Sequence, residues 1–205
     1  MVLYKNRQKL AWLSVKIGIV FSKLGLSPNQ WTLFTLVPTF IALYFLIKES
    51  FLVAGAFFIV ASFIDMIDGA VARVTRRVSK LGAYLDTIID RYVEGIIIFG
   101  LLFASLPDLV VSGFTIPIQA PIFIYFFGSM MTTYSKAAAK EKELVVGKEI
   151  KGGILERAER LLILFVGILL ASYNPIYLTY IIAVLAVLTN VSAIQRIVIA
   201  CRQKN

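Results

Sequence analysis

Histidine is absent from this 205-residue chain, and cysteine occurs once, as Cys201. Without histidine, a general base has to be a carboxylate or a rarer group such as tyrosine or lysine. A single cysteine excludes an intrachain disulfide and a zinc site built from cysteines. Acid–base chemistry therefore falls to the carboxylates unless one of the rarer groups serves.

Charged residues are also scarce. They make up 16% of the chain, whereas a soluble domain is about one quarter charged. Hydrophobic residues reach 59%, with a mean hydropathy of +0.84, and they occur in long runs. Because a helix needs about 20 apolar residues to cross a bilayer, the composition predicts one polytopic membrane domain over residues 1–205 and no soluble core.

The few charges are mostly positive, and the net charge is +9. Nucleic-acid binding is one explanation of such a balance, but the membrane explains it better. Cytoplasmic loops of membrane proteins carry excess Lys and Arg, and a basic face attracts anionic lipid headgroups. We therefore expect membrane lipids as partners, and no nucleic acid.

Residues 4–24 are predicted to form an amphipathic helix that Gly25 ends. Lys9, Lys16 and Lys23 recur every seven residues on one side. The apolar residues on the other side are Leu10, Leu13, Ile17, Val20 and Leu24. A basic stripe beside an apolar face favours a helix that lies in the membrane interface, and a solvated surface helix is the alternative.

A turn-like break at Ser27-Pro28-Asn29 separates this helix from six candidate membrane spans. The spans are residues 31–47, 52–73, 83–103, 119–140, 158–172 and 176–197. Of the 21 Lys and Arg residues, all but Lys48 fall on one side of the alternating links. The positive-inside rule makes that side cytoplasmic, with both termini. The expected fold is an all-α, multi-pass protein of the cell membrane: six transmembrane helices after one interfacial helix.

Four aspartates lie in the second and third spans. Asp65 and Asp68 are three residues apart and share a helix face, and Asp86 and Asp90, four apart, share another. An aspartate within a membrane span is costly and suggests a functional site. Because one span runs inward and the next returns, both pairs are expected at the cytoplasmic ends of their helices, facing each other across a short basic turn.

Four converging carboxylates would repel one another strongly, and a divalent cation would relieve the repulsion. Oxygen ligands suit Mg²⁺, Mn²⁺ or Ca²⁺, and such an ion can hold a diphosphate and neutralise a leaving phosphate. Two alternatives remain. Pairing with Arg73, Arg76 or Arg91 could explain one or two of the aspartates. A cation or proton pathway would need carboxylates near the midplane of the membrane, whereas these cluster at one edge.

Small residues and one cation accompany the aspartates. Gly69 and Ala72 lie on the face of the first aspartate pair, and Gly82 lies one turn before the second. Small side chains at these positions leave room for a ligand to approach the backbone. Arg73 adds a fixed cation that suits phosphate.

The combined pattern is Asp65-x2-Asp68-Gly69-x2-Ala72-Arg73-x8-Gly82-x3-Asp86-x3-Asp90. It resembles the complete signature of the CDP-alcohol phosphotransferases, with all eight defining residues at the family spacing. The motif spans 26 residues, and the six-span layout extends the resemblance over nearly the whole chain.

The resemblance implies a role for each of these residues. Asp65, Asp68 and Asp86 would hold two divalent ions, Mg²⁺ or Mn²⁺, and Asp90 would contribute to the metal site and act as the general base. The residues implied in CDP binding are Pro28, Asn29, Gly69, Ala72, Arg73, Ser79 and Gly82. The resemblance also implies a homodimer.

Basic residues on the later spans suggest an acceptor that carries its own phosphate, because a dianion needs several cations. Positive-inside anchoring is the simpler explanation for any one of them. Three local features resemble the inositol-phosphate-using branch of the family: the 133–136 segment, the Glu-Arg-Ala-Glu-Arg run at 156–160, and the pair at 195–196. We expect the acceptor phosphate to bind Thr133, Lys136, Arg157 and Arg196.

The implied function is a phospholipid synthase at the cytoplasmic face of the membrane. It would transfer a phosphatidyl-type group from a CDP-lipid, either CDP-diacylglycerol or CDP-archaeol, to inositol phosphate and release CMP. Glycerol 3-phosphate or another alcohol is an alternative acceptor, and synthesis of a di-inositol phosphate solute is an alternative within the family. A non-catalytic membrane transporter is the alternative from another class.

Overall fold

The computed structural model describes residues 7–144 and 153–202. Eight helices and one two-stranded hairpin form in these ranges. The helices are α1 (Arg7–Ser22), α2 (Pro28–Phe34), α3 (Leu36–Ile47), α4 (Phe51–Val74), α5 (Lys80–Leu101), α6 (Gln119–Glu141), α7 (Arg157–Ala171) and α8 (Pro175–Arg202). The strands are β1 (Leu109–Val111) and β2 (Phe114–Ile116).

Helical segments occupy all six regions that the sequence marks as spans. Three of the helices in the described ranges are long and apolar enough to cross a membrane: Pro28–Ile47, which joins α2 and α3, together with α4 and α8. The chain is therefore mainly helical and carries membrane-capable helices.

The first span begins earlier than the sequence suggests. Ser27 is the N-cap of α2: its backbone N–H donates to the Gln30 side chain at 2.7 Å, and its Oγ accepts from the Gln30 backbone N–H at 3.3 Å. Pro28 occupies the first helical position, where a missing N–H costs nothing. The Ser27-Pro28-Asn29 segment is thus a cap followed by the first helical residues, and not a turn outside the helix.

The prediction of an all-α chain is wrong over one link. Residues 109–116 form an antiparallel hairpin in which Leu109 pairs with Ile116 and Val111 with Phe114. Ser112 and Gly113 have φ angles of 50° and 84°, the left-handed values that tight hairpin turns require. A Ser-Gly pair between apolar, β-branched residues is the local signal for this turn.

The described residues form two compact units. The first contains the residues up to Phe45 and Val53–Ile97, and the second contains Leu46–Leu52 and the residues from Ile98 onward. Their boundaries cut through α3, α4 and α5 near one end of each helix.

In the first unit, α1 packs against α2 and α4. The rings of Phe21 and Trp31 meet edge to face with centroids 5.4 Å apart, and Trp31 shares a buried cluster with Ile67 and Val71. A Cβ on Gly18 would lie only 2.5 Å from the carbonyl oxygen of Ala70. The absence of a side chain at Gly18 therefore allows α1 to approach the backbone of α4.

The N-terminal helix agrees with its predicted position apart from its ends. Residues 4–6 lie outside the described residues, and α1 ends at Ser22, just before Gly25 with a φ of 73°. Lys16 and Lys23 are exposed, and Val20 and Leu24 are exposed beside them. Part of the apolar face of this helix is thus left uncovered by the described residues.

In the second unit, α6 and α8 meet at a glycine. A Cβ on Gly128 would lie 2.5 Å from both Asn190 Nδ2 and Thr189 Oγ1. The Asn190 amide donates to the Ile124 carbonyl and to the Ala186 carbonyl, at 2.8 Å each. Small residues that permit close approach, with a polar side chain bonding across, are typical of membrane helix pairs.

We expect Gly128→Ala to lower the thermal unfolding midpoint in detergent, because the new methyl group must displace the Asn190 amide and its two hydrogen bonds, each contributing about 1 kcal/mol. Gly167→Ala is the matched control. Its Cβ would meet only the ends of the Leu178 and Ile181 side chains, at 3.0 Å, and those can shift. Equal effects of the two substitutions would contradict this account of the contact.

Candidate active site

The two motif helices are joined by a tight turn. After Val74, Arg76 takes a left-handed conformation with a φ of 55°, and the Arg77 N–H returns to the Ala72 carbonyl at 3.0 Å. Ser79 then caps α5, with its Oγ accepting from the Gly82 N–H at 3.0 Å. These bonds satisfy both helix ends and turn the chain back beside α4.

Three aspartates converge beside this turn. Asp65, Asp68 and Asp86 each offer one carboxylate oxygen, and these oxygens lie within 4.8 Å of one another. Asp68 is 6% exposed, and the other two are half-buried. The predicted convergence of the two helices is therefore present for three of the four aspartates.

Asp90 lies one turn beyond Asp86 on α5 and is half-buried. It is not a member of the group of three found among the described residues. Its neighbour Arg91 forms an ion pair with the fully buried Glu94 at 2.9 Å. Arg91 thus has a carboxylate partner on its own helix, outside the four motif aspartates.

A buried threonine holds one of the three carboxylates. Thr32 Oγ1 donates to Asp68 Oδ2 at 2.6 Å, and Thr32 is only 3% exposed. A hydrogen bond to an ionised group is shorter and stronger than a neutral one. The bond orients Asp68 from α2, a helix distant in sequence, and Thr32 is not among the site residues expected from the sequence.

These carboxylates border a cavity of about 540 Å³. All seven residues expected to bind CDP line it: Pro28, Asn29, Gly69, Ala72, Arg73, Ser79 and Gly82. Its wall also contains Asp65, Asp68 and Asp86, and five residues that the sequence did not indicate as ligand-binding: Thr32, Met66, Arg77, Val78 and Ala83. Ligand sites in proteins commonly have volumes of about 300–1,000 Å³.

Two glycines shape this wall. A Cβ on Gly82 would lie 3.1 Å from Ser79 Oγ and 3.2 Å from Asn29 Oδ1. A Cβ on Gly69 would lie 3.2 Å from a terminal nitrogen of Arg73. Glycine at these positions keeps polar groups close to the helix backbone, which confirms close packing there and extends the sequence argument about room for a ligand.

The residues expected to bind the acceptor phosphate lie in the second unit. Arg196 on α8 donates to the Thr132 carbonyl of α6 at 2.7 Å, next to Thr133. Lys136 is exposed one turn further along α6, and Arg157 is half-buried at the start of α7. The structure therefore joins α6 and α8 through Arg196.

Arg160 is a cation that the sequence argument left out of the acceptor set. It is 1% exposed, and its Nη1 lies 3.5 Å from Thr132 Oγ1. Arg160 and Arg196 thus both contact Thr132. The Glu-Arg-Ala-Glu-Arg run contains Arg160, but the sequence does not indicate which of its two arginines is buried.

The donor atoms suit a hard divalent cation. The three carboxylates supply oxygen ligands only, and no histidine is present to soften the site. Mg²⁺ and Mn²⁺ prefer such oxygens, at about 2.0–2.2 Å for Mg²⁺. Oxygens within 4.8 Å of one another therefore need only a small closure to share an ion.

Comparison with known proteins connects this geometry with a family. A sequence profile described as CDP-alcohol phosphatidyltransferase matches residues 26–192. An archaetidylinositol phosphate synthase from Pyrococcus horikoshii is 33% identical over 92% of this chain and 92% of its own. A bifunctional IPC transferase and DIPP synthase from Aquifex aeolicus is 33% identical over 87% of this chain and 40% of its own length.

Solved structures are similar over nearly the same extent. Phosphatidylinositol phosphate synthase from Mycobacterium tuberculosis with CDP-DAG bound has a TM-score of 0.77 and 25% identity, covering 91% of this chain and 92% of the other. The structure of that enzyme with manganese and citrate has a TM-score of 0.78 and 26% identity, covering 92% and 88%.

We expect Thr32→Val to weaken Mn²⁺ binding by about tenfold, the lower end of losses seen when a residue supporting a metal ligand is removed. Free Mn²⁺ can be measured by electron paramagnetic resonance, without substrate. Thr39→Val is the control, since its buried hydroxyl bonds only to the Thr35 carbonyl of its own helix. Thr32→Ser should retain binding, and equal affinity in the two valine variants would remove Thr32 from this role.

Proposed function

This chain belongs to the CDP-alcohol phosphatidyltransferase family, and on that premise we propose that it transfers a phosphatidyl-type group from a CDP-lipid to inositol phosphate and releases CMP. Family membership confirms the enzyme interpretation over the transporter. The observation that carries the proposal is the cavity in which three aspartates meet all seven residues expected to bind CDP.

Asp65, Asp68 and Asp86 would hold the divalent ion, and with Asp90 they would hold two. We favour Mg²⁺ or Mn²⁺, supported by the manganese-bound Mycobacterium tuberculosis structure. When bound, the metal would neutralise negative charge on the diphosphate and on the departing CMP. Thr32 would keep Asp68 in place, and Arg73 and Arg77, which also line the cavity, would add positive charge near the phosphates.

Asp90 would act as the general base. It takes the proton from the attacking hydroxyl of the acceptor, and the oxygen of that hydroxyl then bonds to the phosphorus next to the lipid. The bond between this phosphorus and the oxygen of CMP breaks, and CMP leaves with the electron pair. With no histidine in the chain, a carboxylate is the natural group for this task.

The acceptor phosphate would bind Thr133, Lys136, Arg157 and Arg196, with Arg160 as an addition to the predicted set. Arg160 and Arg196 both contact Thr132, and two guanidinium groups on one residue repel each other unless an anion balances them. A phosphorylated acceptor supplies that anion. The synthase names of the relatives favour inositol phosphate over glycerol 3-phosphate, and the bifunctional relative keeps solute synthesis as the second candidate.

In the membrane, we propose six spans with both termini and the aspartates at the cytoplasmic face. The positive-inside distribution of Lys and Arg supports this orientation. Helix α1 would lie in the interface, supported by its exposed Lys16 and Lys23 beside Val20 and Leu24. A homodimer remains part of the proposal through the family resemblance alone.

We expect Asp90→Asn to lower kcat by about 10²–10⁴, the usual contribution of a general base, while CDP-lipid still binds. Asp108→Asn is the matched control. Asp108 accepts a hydrogen bond from the Ile118 N–H at 2.9 Å, which asparagine can also accept. Turnover at the normal rate in the Asp90 variant would exclude it as the base.

The acceptor is tested by CMP release from purified protein with Mg²⁺, using both ester and ether CDP-lipids. Inositol 3-phosphate, glycerol 3-phosphate, serine and free inositol are compared, and we expect release only with inositol phosphate. Release with another acceptor instead would keep the aspartate mechanism and reject the phosphate-binding assignment.

Within that assay, Arg196→Gln should raise KM for inositol phosphate by about 10- to 100-fold, the loss expected for a charged hydrogen bond. KM for the CDP-lipid should stay the same. Arg202→Gln, at the exposed end of the same helix, is the control. An equal rise in both KM values would point to damage to the fold and would count against a specific acceptor contact.

A further inference from the structure

Arg73, the cation that lines the donor cavity, is held by a residue outside the family motif. Its Nη2 donates a hydrogen bond to Ser14 Oγ on α1 at 2.8 Å. Another terminal nitrogen of the same guanidinium lies over Gly69. The two contacts together orient a long side chain that is otherwise exposed.

The packing of α1 places Ser14 where it can form this bond. Gly18 follows Ser14 by one helical turn, so the two residues share a face, and Gly18 lies against the Ala70 carbonyl of α4. Phe21 is held against Trp31 on the same helix side, at 5.4 Å between ring centroids. The position of the Ser14 hydroxyl therefore depends on contacts on both sides of Gly18.

We propose that Ser14 is a positioning residue for Arg73, and that the N-terminal helix thereby forms part of the CDP-lipid site. The inference rests on the proposed function, because it assigns Arg73 to the donor. Ser14 precedes the part of the chain that the family profile matches, residues 26–192. The motif alone therefore assigns no role to this helix.

Preorganisation is the physical basis of the effect. An arginine side chain loses conformational freedom when it binds a ligand, and a side chain that is already held loses less. Ser14 has only a hydroxyl, which accepts from one nitrogen of the guanidinium. The remaining donors of the planar group stay available for the diphosphate.

The test is carried out on the full chain in detergent. Ser14→Ala should raise KM for the CDP-lipid about three- to tenfold and leave kcat unchanged, and Ser14→Thr should restore the normal KM. Ser22→Ala is the matched control, since Ser22 Oγ donates only to the Ile19 carbonyl of the same helix at 2.9 Å. An unchanged KM in Ser14→Ala would overturn the proposal.

A double-mutant cycle separates positioning from a general effect on α1. CDP affinity is measured by calorimetry with Mn²⁺, for Ser14→Ala in the normal chain and in an Arg73→Met background titrated to higher CDP concentrations. We expect a three- to tenfold loss in the first and none in the second. An equal loss in both backgrounds would overturn the proposal, because Ser14 would then act independently of Arg73.

Two features keep the result interpretable. CDP binding needs no acceptor, so failure to release CMP with any acceptor would reject the proposed function while the binding cycle still decides the role of Ser14. If Ser14→Ala lowers the thermal unfolding midpoint markedly, Ser14→Cys replaces it. A thiol has similar size but is a poor acceptor, so it should reproduce the loss of CDP affinity, and normal affinity in that variant would overturn the proposal.

Discussion

Three carboxylates whose oxygens lie within 4.8 Å of one another repel each other, and the surroundings of the site can be understood from that repulsion. Each ionised pair at this separation costs about 3 kcal/mol at an effective dielectric constant of about 20. The rigid helices α4 and α5 hold Asp65, Asp68 and Asp86 together nonetheless. A site built in this way favours a divalent cation, and through it a diphosphate, over any neutral ligand. Thr32 and Arg73 lie where they can support the same charges.

Glycine allows the polar groups of this site to approach the helix backbone. Gly82 leaves space for Ser79 and Asn29, and Gly69 leaves space for the guanidinium of Arg73. Gly18 does the same for a whole helix, which rests on the carbonyl of Ala70. A methyl group at any of these positions would have to push aside backbone or polar atoms, and close packing with small residues is how membrane helices associate. The glycines of the motif therefore serve both packing and binding.

The second unit has the opposite charge problem. Arg160 is almost completely buried and contacts Thr132, which also receives the guanidinium of Arg196 through its carbonyl. Buried cations in a membrane helix are costly and usually mark function. A phosphorylated acceptor offers the complementary charge, which is why the cations of α6, α7 and α8 and the carboxylates of α4 and α5 suit two different substrates.

The amino-acid sequence by itself determined the helical segments, the two aspartate pairs and the glycines beside them, because helix period and residue size are local properties. The spacing of Asp65 and Asp68 places both on one face whatever surrounds them. Only the tertiary structure decided that Thr32 bonds to Asp68 across 36 positions, that Ser14 bonds to Arg73 across 59, and that Arg160 is buried. The hairpin at 109–116 had a local signal, but it was short beside the long apolar runs around it. Contacts between helices depend on how closely and at what angle those helices pack, and periodicity along one helix carries no information about its neighbours.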